Sequence, residues 1–108
     1  MIRIIHAADL HLDSPFESLD AEKASVRRSE QRALLERIAA EVNQRNADLL
    51  FLAGDLLDSG SAYAETGEAL LAALGKVRVP VFIAPGNHDF YGPGSPYTAV
   101  EWPENVYI

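Results

Sequence analysis

Three polar clusters in this chain are built from residue types that hold divalent cations and handle phosphate. Asp9-Leu10-His11 follows an apolar run over residues 2–8, Gly54-Asp55 follows residues 49–53, and Pro85-Gly86-Asn87-His88-Asp89 follows residues 81–84. A carboxylate and an imidazole two residues apart project to the same side of an extended chain, so Asp9 and His11 can chelate one cation as a pair. Gly54 lets the backbone turn sharply after a strand, which leaves the Asp55 carboxylate with two oxygens for two cations. Asn87 offers a neutral oxygen. His88 can donate a proton or steady a negative phosphoryl oxygen, and Asp89 can fix its tautomer. Asp58 is either an acceptor behind a ligand or a turn cap.

Each cluster alone fits a blander reading. Asp-x-His also fits a surface turn, Gly-Asp a cap, and Gly-Asn a tight turn. Three such clusters at the ends of three strand-like runs do not. Ligands of an open parallel sheet bind beyond the carboxyl ends of the strands. Parallel strands would therefore bring Asp9, His11, Asp55, Asn87 and His88 together in a metal site for phosphate chemistry. His6, inside the first run, is expected to be a hydrogen-bonded core histidine and not a ligand.

The elements that must position these residues are short. Residues 2–8 read as a buried strand, and residues 12–24 as a loop. Residues 25–45 carry Val26, Leu34, Leu35, Ile38, Ala39 and Val42 at helical spacing, with Asn46 as the stop. Residues 48–53 read as a central parallel strand. A second helix is expected over residues 65–76, with Leu70, Leu71 and Leu74 toward the sheet. Residues 81–84 give a third strand and residues 85–105 a long loop, rich in proline and glycine. Residues 106–108 begin a fourth strand. The order is β-α-β-α-β, then loop, then β, an α/β class with right-handed parallel crossovers.

The whole chain has 108 residues, which suits one small domain. Nine basic and 16 acidic residues leave a net charge of −7, which argues against a basic nucleic-acid platform but not against an enzyme that acts on nucleic acid. There is no cysteine, so disulfides and thiolate chemistry are excluded. No apolar run is long enough to span a membrane, and no charged segment followed by an apolar one opens the sequence. A cytoplasmic location with no membrane association is the expectation.

Asp-x-His, Gly-Asp-x-x-Asp and Gly-Asn-His-Asp, each after a strand, resemble the signature of the calcineurin-like metallophosphoesterases. The stretches His6-Ala7-Ala8-Asp9-Leu10-His11-Leu12-Asp13-Ser14-Pro15-Phe16 and Ala53-Gly54-Asp55-Leu56-Leu57-Asp58 look most like bacterial DNA repair exonucleases of the SbcD and YhaO type. The resemblance implies that Asp9 and His11 bind a first metal, Asp55 bridges two, and Asn87 binds the second. It makes His88 the catalytic histidine and places Asp58 and Asp89 behind these groups. It implies two divalent ions, manganese as a rule, DNA as substrate and an ATPase subunit as partner. Phosphatase or nucleotide phosphodiesterase activity on a small substrate is the first alternative. A non-catalytic fragment with an incomplete metal site is the second.

The family pattern continues with a lone metal-binding histidine and then Gly-His-x-His. This sequence holds only His6, His11 and His88. Four ligand side chains, one bridging, give about five bonds where two metals need roughly ten to twelve, some from water. The resemblance thus makes residues 1–108 the N-terminal half of a catalytic domain, the parallel half of an α/β/β/α sandwich, without turnover of its own. Such a half is expected to self-associate through apolar surface that includes Leu70, Leu71, Ile83, Val106 and Ile108. Tyr91, Tyr97 and Trp102 could stack on a base, but packing of their loop onto the rest of the domain is the preferred reading.

Overall fold

The computed structural model describes residues 1–58, 64–86, 89, 91–93 and 95–108. In chain order the elements are β1 (Ile4–Ala8), α1 (Ala21–Gln44), β2 (Leu49–Ala53), α2 (Ala64–Gly75), β3 (Val81–Ala84), α3 (Pro96–Ala99) and β4 (Val106–Tyr107). The four strands form one sheet in the order β1-β2-β3-β4, and every neighbouring pair is parallel. The α/β class and the parallel crossovers are as the sequence predicts. Among the described residues no helix is long and apolar enough to cross a membrane.

The sheet buries one face. Leu50 and Leu52 on β2, Val81 and Ile83 on β3 and Val106 on β4 point into a core shared with Leu35, Ala39 and Val42 of α1 and Leu70, Ala73 and Leu74 of α2. Side chains alternate along a strand, so the intervening residues lie on the opposite face. There His6, Phe51, Phe82 and Tyr107 occupy one register row across all four strands. Phe51 and Phe82 lie 5.5 Å apart between ring centroids and Phe82 and Tyr107 5.4 Å apart. Phe82 is 38% exposed and Tyr107 53%.

This pattern corrects three sequence expectations. His6 is exposed on the open face, because Ile5 and Ala7 take the positions that turn toward the core. Leu70, Ile83 and Val106 are core residues, and Leu71 is half-buried. Ile108 is exposed as expected, and on the open face of the sheet Ile4, Phe82 and Tyr107 are exposed as well. Tyr97 is buried, and Trp102 packs against the same core, so these rings hold their loop onto this chain's own sheet and helices.

The helices also differ from expectation in detail. α1 begins four residues earlier than its apolar spacing suggests, because Asp20 caps it by accepting from the Lys23 backbone N–H at 2.8 Å. Val26 and Leu34 are 53% and 41% exposed; the buried stripe runs through Ala24, Leu35, Ala39 and Val42. Asn46 adopts a positive φ of 51° just past the helix end, the conformation of a helix stop. The loop over residues 85–105 contains the single helical turn α3.

Candidate metal centre

The loops that leave β1 and β2 run side by side past the carboxyl edge of the sheet. Backbone hydrogen bonds continue the strand pairing: Asp9 N–H to Gly54 O at 3.0 Å, His11 N–H to Asp55 O at 2.9 Å, Leu12 N–H to Leu56 O at 2.9 Å and Asp58 N–H to Leu12 O at 2.8 Å. Gly54 N–H donates to Ala84 O at 2.8 Å, which attaches β3 to the same edge. Leu12, Leu56 and Leu57 are buried in the core and anchor the loops from below.

Asp9, His11 and Asp55 are held so that one ligand atom from each lies within 4.8 Å of the others. All three adopt left-handed backbone conformations, with φ of 54°, 48° and 48°. Asp and His tolerate this region better than most side chains, yet each such residue stores about 1 kcal/mol or more of strain. Such strain persists only where the surrounding structure over-determines it, as the paired loop backbones do here.

His11 Nδ1 donates to Asp58 Oδ1 at 3.1 Å. The carboxylate can only accept, so this bond selects the tautomer with a lone pair on Nε2 and fixes the orientation of the ring. Asp58 is thus in direct contact with His11. Two carboxylates and one imidazole form a hard O/N donor set suited to manganese, iron or zinc. The residues present fit a divalent cation.

Two supports of this edge escape a reading of motifs. Asp13 (φ 67°) sends its carboxylate inward, where the fully buried Thr66 hydroxyl donates to it at 2.5 Å and Arg32 Nη1 lies 3.5 Å away. This ties the loop that carries Asp9 and His11 to both α1 and α2. Its one sequence signal is the third carboxylate or imidazole in the alternation Asp9-x-His11-x-Asp13. Gln31 Nε2 also donates to Leu10 O, at 3.3 Å.

Asp89 is fully buried. Its Oδ1 accepts from Gly86 N–H at 2.6 Å, and its Oδ2 accepts from Leu57 N–H at 3.0 Å and from the Tyr97 hydroxyl. The third strand-end cluster is therefore fastened to the second. Gly86 lies against Asp55 so closely that a Cβ there would meet the Asp55 backbone nitrogen at 2.6 Å and its carboxylate. Asn87 and His88, expected as a second-metal ligand and the catalytic histidine, lie outside the described residues.

A parallel β-α-β-α-β sheet whose carboxyl edge brings Asp9, His11 and Asp55 together, with Gly86 and Asp89 beside them, suits a metal-dependent phosphoesterase. The sequence pattern of the calcineurin-like phosphoesterases matches residues 2–106, and the chain belongs to that family. It is 35% identical over 114 residues to YhaO of Bacillus subtilis strain 168, described as an uncharacterized metallophosphoesterase. That match takes in 99% of this chain and 27% of the Bacillus protein, so the chain spans about a quarter of that relative's length. A transmembrane protein with a metallophosphoesterase domain from Danio rerio is 37% identical over 60 residues, covering 56% of this chain and 14% of that protein.

Proposed function

We propose that the whole protein hydrolyses phosphodiester bonds in DNA with two divalent cations, manganese by preference. The observation that carries the reading is the convergence of Asp9, His11 and Asp55 at the carboxyl edge of the sheet, with ligand atoms within 4.8 Å of one another. Bound there, the cations would supply Lewis acidity toward the phosphoryl oxygens and a more acidic attacking water. Asp9 and His11 would hold the first ion, Asp55 would take both, and Asn87 would hold the second. Asp58 keeps the His11 ring aimed. His88 would steady the phosphate or protonate the leaving oxygen. The wording around the first two motifs supports DNA as substrate, and extends the proposal to cytoplasmic action beside an ATPase subunit.

The test is turnover by the manganese-loaded whole protein on single-stranded DNA ends and, in parallel, on a panel of nucleotides and small phosphate esters. Release of nucleotides from DNA, lost on chelation and in Asp55→Asn, is the expected result. Turnover confined to small esters would move the assignment to a phosphatase or nucleotide phosphodiesterase. Manganese binding without turnover on either would make the site vestigial.

A further inference from the structure

We infer that Tyr97 is a positioning residue: through Asp89, its hydroxyl clamps the loop that carries Asp55 to Gly86 at the end of β3. The inference rests on the reading of this edge as a metal centre.

The Asp89 carboxylate takes three donors from three places. Gly86 N–H comes from its own loop, Leu57 N–H from the loop after β2, and the Tyr97 hydroxyl from α3. A buried carboxylate is stable only with such donors, and hydrogen bonds to an ionised acceptor are the strong ones. Two of the three donors are backbone amides, and these two belong to the segments that must keep a fixed distance. Leu57 is two residues from Asp55. Gly86 sits against Asp55, with no room for a Cβ. Movement of Asp89 therefore moves Gly86 against a metal ligand.

The phenol is itself held. Tyr97 is buried in the core. Its ring stacks on Trp102 with centroids 6.2 Å apart, and Trp102 Nε1–H donates to Tyr97 O at 3.0 Å. The turn before it is closed by Ser95 N–H to Gly92 O at 3.0 Å, and Thr98 Oγ1 donates to Ser95 O at 2.9 Å. A rigid ring presents one donor to one oxygen, from the core side. Its hydroxyl donates to Asp89, and the clamp acts through that carboxylate.

The experiment compares wild type, Tyr97→Phe, Asp89→Asn and the double variant in the whole protein. It reads amide hydrogen exchange at Leu57 and Gly86, manganese affinity by calorimetry, and kcat and KM on bis(p-nitrophenyl) phosphate. Tyr97→Phe should speed exchange at Leu57 and Gly86 together, leaving the middle of α1 unchanged. It should weaken manganese binding measurably, by less than the roughly 10- to 100-fold that follows loss of a group bonded directly to a ligand. KM at saturating metal should stay at the wild-type value. The double variant should be no worse than Asp89→Asn, because residues acting through one contact are not additive. Unchanged exchange at the two amides in Tyr97→Phe overturns the inference, as does a double variant whose losses multiply. If Tyr97→Phe does not fold, Trp102→Phe, which removes only the support of the ring, should move both amides in the same direction, and its failure to do so overturns the inference too. A wild type that binds no manganese overturns the metal-centre reading, and exchange alone then decides the clamp.

Discussion

His11 and Asp58 meet at 3.1 Å between Nδ1 and Oδ1, joining the first motif to the third residue after Asp55. The contact does for the imidazole what the zipped loop backbones do for the carboxylates: it removes a rotation that a metal ligand must not have. A ligand ring free to turn would lose orientation entropy on every binding event.

Asp58→Ala should therefore weaken manganese binding by about 10- to 100-fold, without altering the fold. Asp58→Asn, whose amide oxygen can still accept from Nδ1, should lose less. Calorimetry on the whole protein checks the order of the two. Equal affinity in wild type and Asp58→Ala would remove Asp58 from the site.

Gly86 and Gly67 give opposite expectations for the same substitution. A Cβ on Gly86 would press on the backbone nitrogen of Asp55 at 2.6 Å, and backbone cannot step aside. Gly86→Ala should cost about 1–3 kcal/mol, the usual range for overpacking, and should also disturb Asp55. Gly67 lies inside α2, where a Cβ would meet only Val100 Cγ2 at 3.8 Å. Gly67→Ala should be neutral or stabilise by about 0.4–1 kcal/mol. Denaturant melts separate them, and similar midpoints for the two variants would contradict the packing at Gly86.

The convergence of Asp9, His11 and Asp55 was legible in sequence because each lies where an apolar run stops. The faces of the strands were not legible. β1 and β2 are apolar at nearly every position, the pattern of parallel strands designed for cover on both sides. That pattern does not say which residues meet α1 and α2, so His6 and Ile83 were assigned to the wrong faces. α1 began early because Asp20 and Glu22 mark a first turn that contains no large apolar residue. Tyr97 was hidden for a different reason. Its role depends on a contact with Asp89 eight residues away, inside a loop whose prolines and glycines carry no period.

The open sheet face makes a prediction about association. Phe82 and Tyr107 lie side by side and exposed, in a parallel sheet of a kind ordinarily covered on both faces. The 108-residue chain alone should self-associate through this row, as judged by light scattering. Phe82→Lys with Tyr107→Lys should shift it toward monomer. Neither side chain is buried, so stability should change by no more than about 0.5 kcal/mol per site. Association that persists in the double variant would place the contact elsewhere, for example on the exposed Val26 and Leu34 of α1.

Tyr97 also sets a pH limit. Burial, and then the hydrogen bond to Asp89, push its phenol well above the ordinary range. In the unfolded chain a tyrosine ionises near pH ~10. A group whose pKa is raised by folding contributes stability that is fully present below the unfolded value and declines as pH rises beyond it. The folded protein should therefore lose stability progressively above pH ~10. The phenolate absorbance of the four tyrosines should then rise in two phases. The later phase should coincide with loss of the helical circular dichroism, because Tyr97 can surrender its proton only when Asp89 and the core release it. Tyr97→Phe should remove one tyrosine's amplitude from that later phase and make the alkaline decline less steep. Full, reversible ionisation of all four tyrosines while the helical signal stays intact would mean that the Tyr97 hydroxyl is not locked onto Asp89, and the clamp between the two loops would lose its anchor.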